Sequence, residues 1–119
     1  MNNIKGIGID IVSISRIRKL YELYKDKFLD RIFTKNEIEE SIRKGHFISS
    51  IAGKFAAKEA FIKAYSSYLS FKQIEVLSSG NGKPCINISN NKPTKELKNC
   101  FLSISHEQEI AIAVVILIK

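Results

Sequence analysis

The 119-residue sequence predicts an α+β domain, with a strand and helices first and an antiparallel sheet after them. Three observations carry that expectation. "NIKGIGIDIV" sets Ile4, Ile7 and Ile9 among glycines and runs into a carboxylate, as a strand end does. "SISRIRKLYELYKDKF" and "GKFAAKEAFIKAY" space their apolar residues three and four apart, the helical period. From residue 71 the period becomes two, in "FKQIEVL", "PCINI", "FLSIS" and "IAIAVVIL".

Taken in order, the first strand is expected to end near Asp10. The helix after it places Ile14, Ile17, Leu20, Leu23 and Tyr24 on one face, with Ser13 or Ser15 as its cap. Its other faces carry Arg16, Arg18, Lys19 and Lys25. "TKNE" at 34–37 is a capping box that opens a short polar helix, which Gly45 can stop. Ser49 or Ser50 then caps the helix holding "GKFAAKEAFIKAY". "SSGNGKP" and "HEQE" read as hairpin turns, and "NNKPTKELKN" as a polar loop. With no repeat, no low-complexity stretch and no linker, residues 1–119 read as one domain.

Composition narrows the function classes. The apolar and charged fractions, 45% and 26%, are those of an ordinary globular protein. The longest apolar run, "IAIAVVILI", is too short for a membrane helix and suits a buried strand. The N-terminus lacks the pattern of a secretory signal. Cys85 and Cys100 are too few and too far apart for a disulfide framework or a zinc site; they read as small hydrophobes in a cytosolic chain. A net charge of +7 favours polyanionic partners without choosing among nucleic acid, anionic lipid, a phosphorylated cofactor or an acidic protein.

The residues able to carry chemistry are few. Asp10 follows two glycines that permit close backbone approach; it reads either as a turn or cap residue or as a ligand. Glu59 and Lys63 lie one turn apart in a helix framed by Phe55, Ile62, Ala56 and Ala60. An exposed ion pair at that spacing is worth about 0.3–0.5 kcal/mol, too little to explain charge in an apolar frame. Asp10 with Glu59 could instead hold a hard cation such as Mg²⁺, whose shell is completed by water and a substrate phosphate. In "SISHE", Ser105 and His106 point to opposite faces of a strand and make a poor nucleophile–base pair. His106 therefore reads as a loop residue bonded to backbone, or as a contact for phosphate or ribose. "GNGKP" is a turn in which Lys83 could meet a phosphate.

"GIGIDIVSISRI", "RIFTKNE", "GKFAAKEAFIKA", "GKP" and "SISHE", in this order and at these separations, resemble the holo-acyl-carrier-protein synthases, the small bacterial 4′-phosphopantetheinyl transferases. The resemblance spans nearly the whole chain, and the run F-A-x-K-E-A-x-x-K is its most specific part. It implies the 4′-phosphopantetheinyl transferase fold and transfer of the phosphopantetheine arm of CoA to a serine of apo acyl carrier protein, a step of fatty acid biosynthesis that releases adenosine 3′,5′-bisphosphate. Asp10 and Glu59 would hold Mg²⁺, and Lys63 would neutralise or protonate the leaving phosphate. His106 would contact the CoA nucleotide, with Lys54 and Lys83 near its phosphates. Arg16 and Lys19 on the first helix would meet the acidic helix of the carrier. The resemblance also implies a homotrimer with active sites at the subunit interfaces.

Two departures from the family pattern stand out. Many members carry Arg where this chain has Lys54, which turns a bidentate phosphate contact into a point charge. "AYSSYLSF" replaces the usual glycine-rich loop after Lys63. The rival reading from another class is a basic nucleic-acid-binding module. It needs exposed aromatics on a basic sheet face, which these strands do not offer. A non-catalytic scaffold for the carrier is the other rival.

Overall fold

The computed structural model describes residues 3–89 and 95–119. Its elements are β1 (Ile4–Ser13), α1 (Ile14–Tyr24), α2 (Asp26–Ile32), α3 (Lys35–Arg43), α4 (Phe47–Ala64), a 3-10 turn (Phe71–Gln73), β2 (Ile74–Ser78), β3 (Pro84–Ile88), β4 (Lys95–Glu96), β5 (Cys100–Glu107) and β6 (Ile110–Ile118). The fold is α+β, but the sheet is not one sheet. β1-β6-β5 form one antiparallel layer and β2-β3-β4 a second. The first strand is built into the layer of the last two, running from Ile4↔Ile118 to Ser13↔Ile110.

α4 sits at the centre. Ile51, Ala52, Ala56, Ala57, Ala60 and Phe61 are all without exposed surface, so the helix is buried nearly all round. One side of it packs with β6 residues Ala113, Val115 and Leu117 and β2–β3 residues Ile74, Val76 and Ile86. Its N-terminal half packs with Ile14, Ile17, Phe28, Leu29 and Phe33 from α1, α2 and the turn after them. This explains why "GKFAAKEAFIKAY" carries small residues at 56, 60 and 64: strands must approach it closely.

Several expected boundaries move. β1 continues past Asp10 to Ser13, whose hydroxyl accepts from the Arg16 amide and caps α1. The first helix breaks at Lys25, which holds φ 48°, and a separate α2 follows. α4 begins at Phe47 rather than at a serine cap; the Ser50 hydroxyl is buried against that of Ser41 instead. "FKQ" is a 3-10 turn, not strand. The capping box at Thr34 and Glu37 is present on both sides, and Gly45 lies just beyond α3 with φ +80°. The first part of "NNKPTKELKN" lies outside the described residues, while its Lys95–Glu96 pairs as β4.

Among the described residues no other element covers the outer face of β1-β6-β5. Ile7, Ile9 and Ile11 are 58%, 58% and 61% exposed, and Phe101 and Ile112 lie open on the neighbouring strands. Such a contiguous apolar face marks an interaction surface. Among the described residues no helix is long and apolar enough to cross a membrane.

Candidate active site

Glycine puts Asp10 where it is. Residues 6, 8 and 10 share the inner face of β1. A Cβ on Gly6 would lie 2.0 Å from the Ala64 carbonyl oxygen, and one on Gly8 would lie 1.8 Å from that of Ala60. No side chain fits between strand and helix there. Two residues further on, with the gap still narrow, the Asp10 carboxylate arrives beside α4 at Glu59 and Lys63. The Lys63 ammonium donates to the Ile9 carbonyl (2.9 Å) and lies 3.4 Å from Asp10 Oδ1. It therefore reaches across to the strand, rather than serving only its helical neighbour.

Asp10 and Glu59 line one cavity of about 290 Å³, together with Phe55, Arg16, Ile17 and Leu20. Burial raises the Glu59 carboxyl above its ordinary value; the Asp10 charge raises it further, and Lys63 partly offsets both. Two carboxylates share the cavity, and the Asp10 charge disfavours the ionisation of Glu59. A cation held between them relieves that repulsion. Hard oxygen donors, two in number, with room for water and phosphate, fit Mg²⁺. Among the described residues no group of three or more His, Cys, Asp or Glu is placed to hold a metal ion.

A second cavity of about 130 Å³ lies between α4, β2, the β2–β3 turn and β5. Lys44, His46, Lys54, Gly82, Pro84 and His106 are among its lining residues. His106 Nε2 is 2.9 Å from the Ser49 carbonyl oxygen. Lys54 is turned inward: its ammonium donates to the Glu40 carboxylate and, at 2.8 Å, to the Val76 carbonyl. Its charge is thus largely neutralised before any ligand arrives. Lys83 is exposed in the turn between the lining residues Gly82 and Pro84. Lys19 is exposed on α1, one turn from Arg16, which itself borders the Asp10–Glu59 cavity.

The two cavities lie at opposite edges of the β1-β6-β5 layer, Asp10 on one outer strand and His106 on the other. The chain brings together Asp10, Glu59, Lys63 and Arg16, and separately His106, Lys54 and the Lys83 turn. Both cysteines are free, and burial pushes Cys100 to about 11, so its thiol is protonated at neutral pH.

Sequence reasoning missed the charged ladder beneath the site. Lys58, fully buried, pairs with Glu37 at 2.7 Å and donates to the Ile32 and Phe71 carbonyls, each at 2.8 Å. Glu40 takes Lys54 and the Ser78 amide. The signal was present: lysines four apart at 54 and 58 match carboxylates three apart at 37 and 40 on the neighbouring helix.

Residues 6–115 match the model of the 4′-phosphopantetheinyl transferase superfamily. A holo-[acyl-carrier-protein] synthase of Halothermothrix orenii is 42% identical over 95% of this chain and 96% of its own. The chain belongs to the holo-[acyl-carrier-protein] synthase family. A crystal structure of such a synthase from Bacillus anthracis, in complex with CoA (3′,5′-ADP), superposes with a TM-score of 0.77 at 40% identity, covering 98% of this chain and 97% of that one. The Neisseria meningitidis synthase gives 0.83 at 32% identity, covering 98% and 99%. Holo-[acyl-carrier-protein] synthases are phosphopantetheinyl transferases, so the fold and enzyme class expected from the motifs hold across nearly the full chain.

Proposed function

We propose that this chain transfers the 4′-phosphopantetheine arm of CoA to a serine of apo acyl carrier protein and releases adenosine 3′,5′-bisphosphate, with Mg²⁺ as cofactor. The observation that carries the reading is the convergence of Asp10 and Glu59 on one cavity, with the Lys63 ammonium 3.4 Å from Asp10 Oδ1, in a member of this family. In the reaction the serine hydroxyl loses its proton, which in the net balance goes to the departing phosphate or to solvent, and its oxygen forms a bond to the phosphorus that bears the pantetheine arm. The bond from that phosphorus to the oxygen bridging to adenosine 3′,5′-bisphosphate breaks, and the electron pair leaves with that oxygen. Such transfer asks mainly for positioning and charge neutralisation.

Asp10 and Glu59 would hold the metal, which when bound would supply charge neutralisation at the diphosphate and polarisation of the attacked phosphorus. Lys63, more than half exposed on a flexible stem, neutralises or protonates the departing phosphate. His106 contacts the nucleotide, Lys83 approaches its phosphates from the turn, and Lys54 offers only what Glu40 leaves unused. Arg16 and Lys19 receive the acidic carrier helix; Arg16 borders the metal cavity, so a docked carrier would hold its serine near the reacting phosphorus.

The protein works as a homotrimer in the cytoplasm, each subunit one domain over residues 1–119. The exposed isoleucine face of β1-β6-β5 supports the association. The placement of Asp10 and His106 at opposite sheet edges supports a site completed by a neighbouring subunit, one chain giving the metal half and the next the nucleotide half.

Mass spectrometry of an apo acyl carrier protein incubated with CoA, Mg²⁺ and this protein tests the reading. The carrier should gain one phosphopantetheine arm, and EDTA should prevent the gain. Asp10→Ala and Glu59→Ala should each abolish it in a folded protein. Full turnover by either variant would refute the metal assignment.

A further inference from the structure

We propose that Gly53 is a positioning residue: the notch it leaves in α4 seats the His106 ring with its Nε2–H on the Ser49 carbonyl, so that Nδ1 is the nitrogen presented to a phosphate-bearing nucleotide. The ligand half of this inference rests on the reading of the His106 cavity as the nucleotide site.

Gly53 is buried in the interior of an 18-residue helix, where glycine is among the least favourable residues. The space it leaves is used. A Cβ at this position would lie 2.7 Å from His106 Nε2, 3.2 Å from Cε1 and 3.1 Å from Ile104 Cγ2. The imidazole therefore lies against the bare helix backbone. There Nε2 meets the Ser49 carbonyl oxygen at 2.9 Å. A carbonyl only accepts, so the proton is on Nε2 and the tautomer is set. Nδ1 remains for a ligand: it accepts when the ring is neutral and donates to phosphate when the ring is protonated. Lys44 borders the same cavity and favours an anion there, while Lys54 is already paired with Glu40.

Gly53 differs from Gly6 and Gly8 in what yields on substitution. Those two face helix backbone, whereas Gly53 faces chiefly the end of a rotatable side chain on an exposed strand end. Gly53→Ala therefore displaces the ring and leaves the fold in place.

Imidazole ¹H–¹⁵N correlation spectra read the seat directly, since the chain has only 2 histidines. Wild-type His106 should be the Nε2–H tautomer, and Gly53→Ala should return it to the mixture of a free imidazole. An Nδ1–H tautomer in the wild type, or an unchanged signature in the variant, overturns the notch. Adenosine 3′,5′-bisphosphate is the probe for binding calorimetry. Gly53→Ala and His106→Ala should each weaken it by about tenfold, the loss of one charge-assisted hydrogen bond. The double variant should bind no worse than His106→Ala alone; multiplied losses would mean that Gly53 acts by another route and would overturn the proposal. With the ring gone, alanine is the better helix former, so the double variant should melt above His106→Ala, and a lower Tm counts against the notch. A changed tautomer with wild-type binding in both single variants overturns the nucleotide reading and the ligand half with it.

Discussion

The Lys58 ammonium spends its N–H groups on Glu37 and on the Ile32 and Phe71 carbonyls, and so ties α4 to α2, α3 and the turn before β2. Burial drives Lys58 below and Glu37 above their ordinary values, with each partner's charge opposing the shift. Removing one member leaves a buried charge alone, so Lys58→Met should cost about 3–5 kcal/mol in urea unfolding. Adding Glu37→Leu should recover only part, because Glu37 also accepts from the Thr34 and Val76 amides, which would lose their partner. Full recovery would mean that those amides find water. Glu40 gives a pH signature. Burial raises its carboxyl, but the hydrogen bonds from Lys54 and the Ser78 amide outweigh that and hold it below the ordinary carboxylate range. A depressed folded value stabilises above the unfolded value and is lost as pH falls through the folded one. Glu40→Gln should therefore destabilise by about 1–3 kcal/mol near neutrality, with the gap to wild type closing below pH 4.5. A gap constant down to pH 3 would show that the charge of Glu40 contributes nothing.

At the scale of elements, the contact of β1 with α4 makes the Asp10–Glu59 half of the site. Gly8→Ala would set a Cβ 1.8 Å from the Ala60 carbonyl oxygen, which only a shift of strand or helix can relieve. The expected cost is about 1–3 kcal/mol or more, with a fall in turnover, whereas Gly80→Ala meets nothing within 4 Å and serves as control. Equal melting of the two variants would contradict the close approach. Much of this was legible in the chain: glycines at 6 and 8, alanines at 56, 60 and 64, and acidic residues beside both runs mark a tight strand–helix seam. Boundaries were less legible. Nothing in "LYKDKF" announces the positive φ at Lys25 that divides α1 from α2, because lysine has no preference for that region. The partner of Lys58 was hidden because Glu37 already had a local job in the capping box. The pairing of β1 with β6 joins the two ends of the sequence, and no local pattern specifies so distant a register.

For the whole molecule, the proposed function asks one CoA to reach both Asp10 and His106, which stand on the outer strands of one layer with β6 between them. The isoleucines that β1 exposes are on the face opposite α4, so an association through them brings the sheet edges of neighbouring subunits together without disturbing the core. Ile7→Lys with Phe101→Lys places two charges on that face, away from every residue assigned to the site. If the proposed trimer forms, the wild type should run at three times the 13.5 kDa of one chain, and the variant should run at that single-chain mass and lose turnover while keeping its fold. Complementation separates a shared site from a merely stabilising association. Asp10→Ala retains His106, and His106→Ala retains Asp10. If each site joins Asp10 of one subunit to His106 of the next, mixed trimers refolded from the two weakened variants contain some interfaces with both residues intact. Turnover of the mixture should then exceed the sum of the separate variants several-fold. Activity equal to that sum would place Asp10 and His106 of every working site in the same chain, and the interface would have no catalytic part.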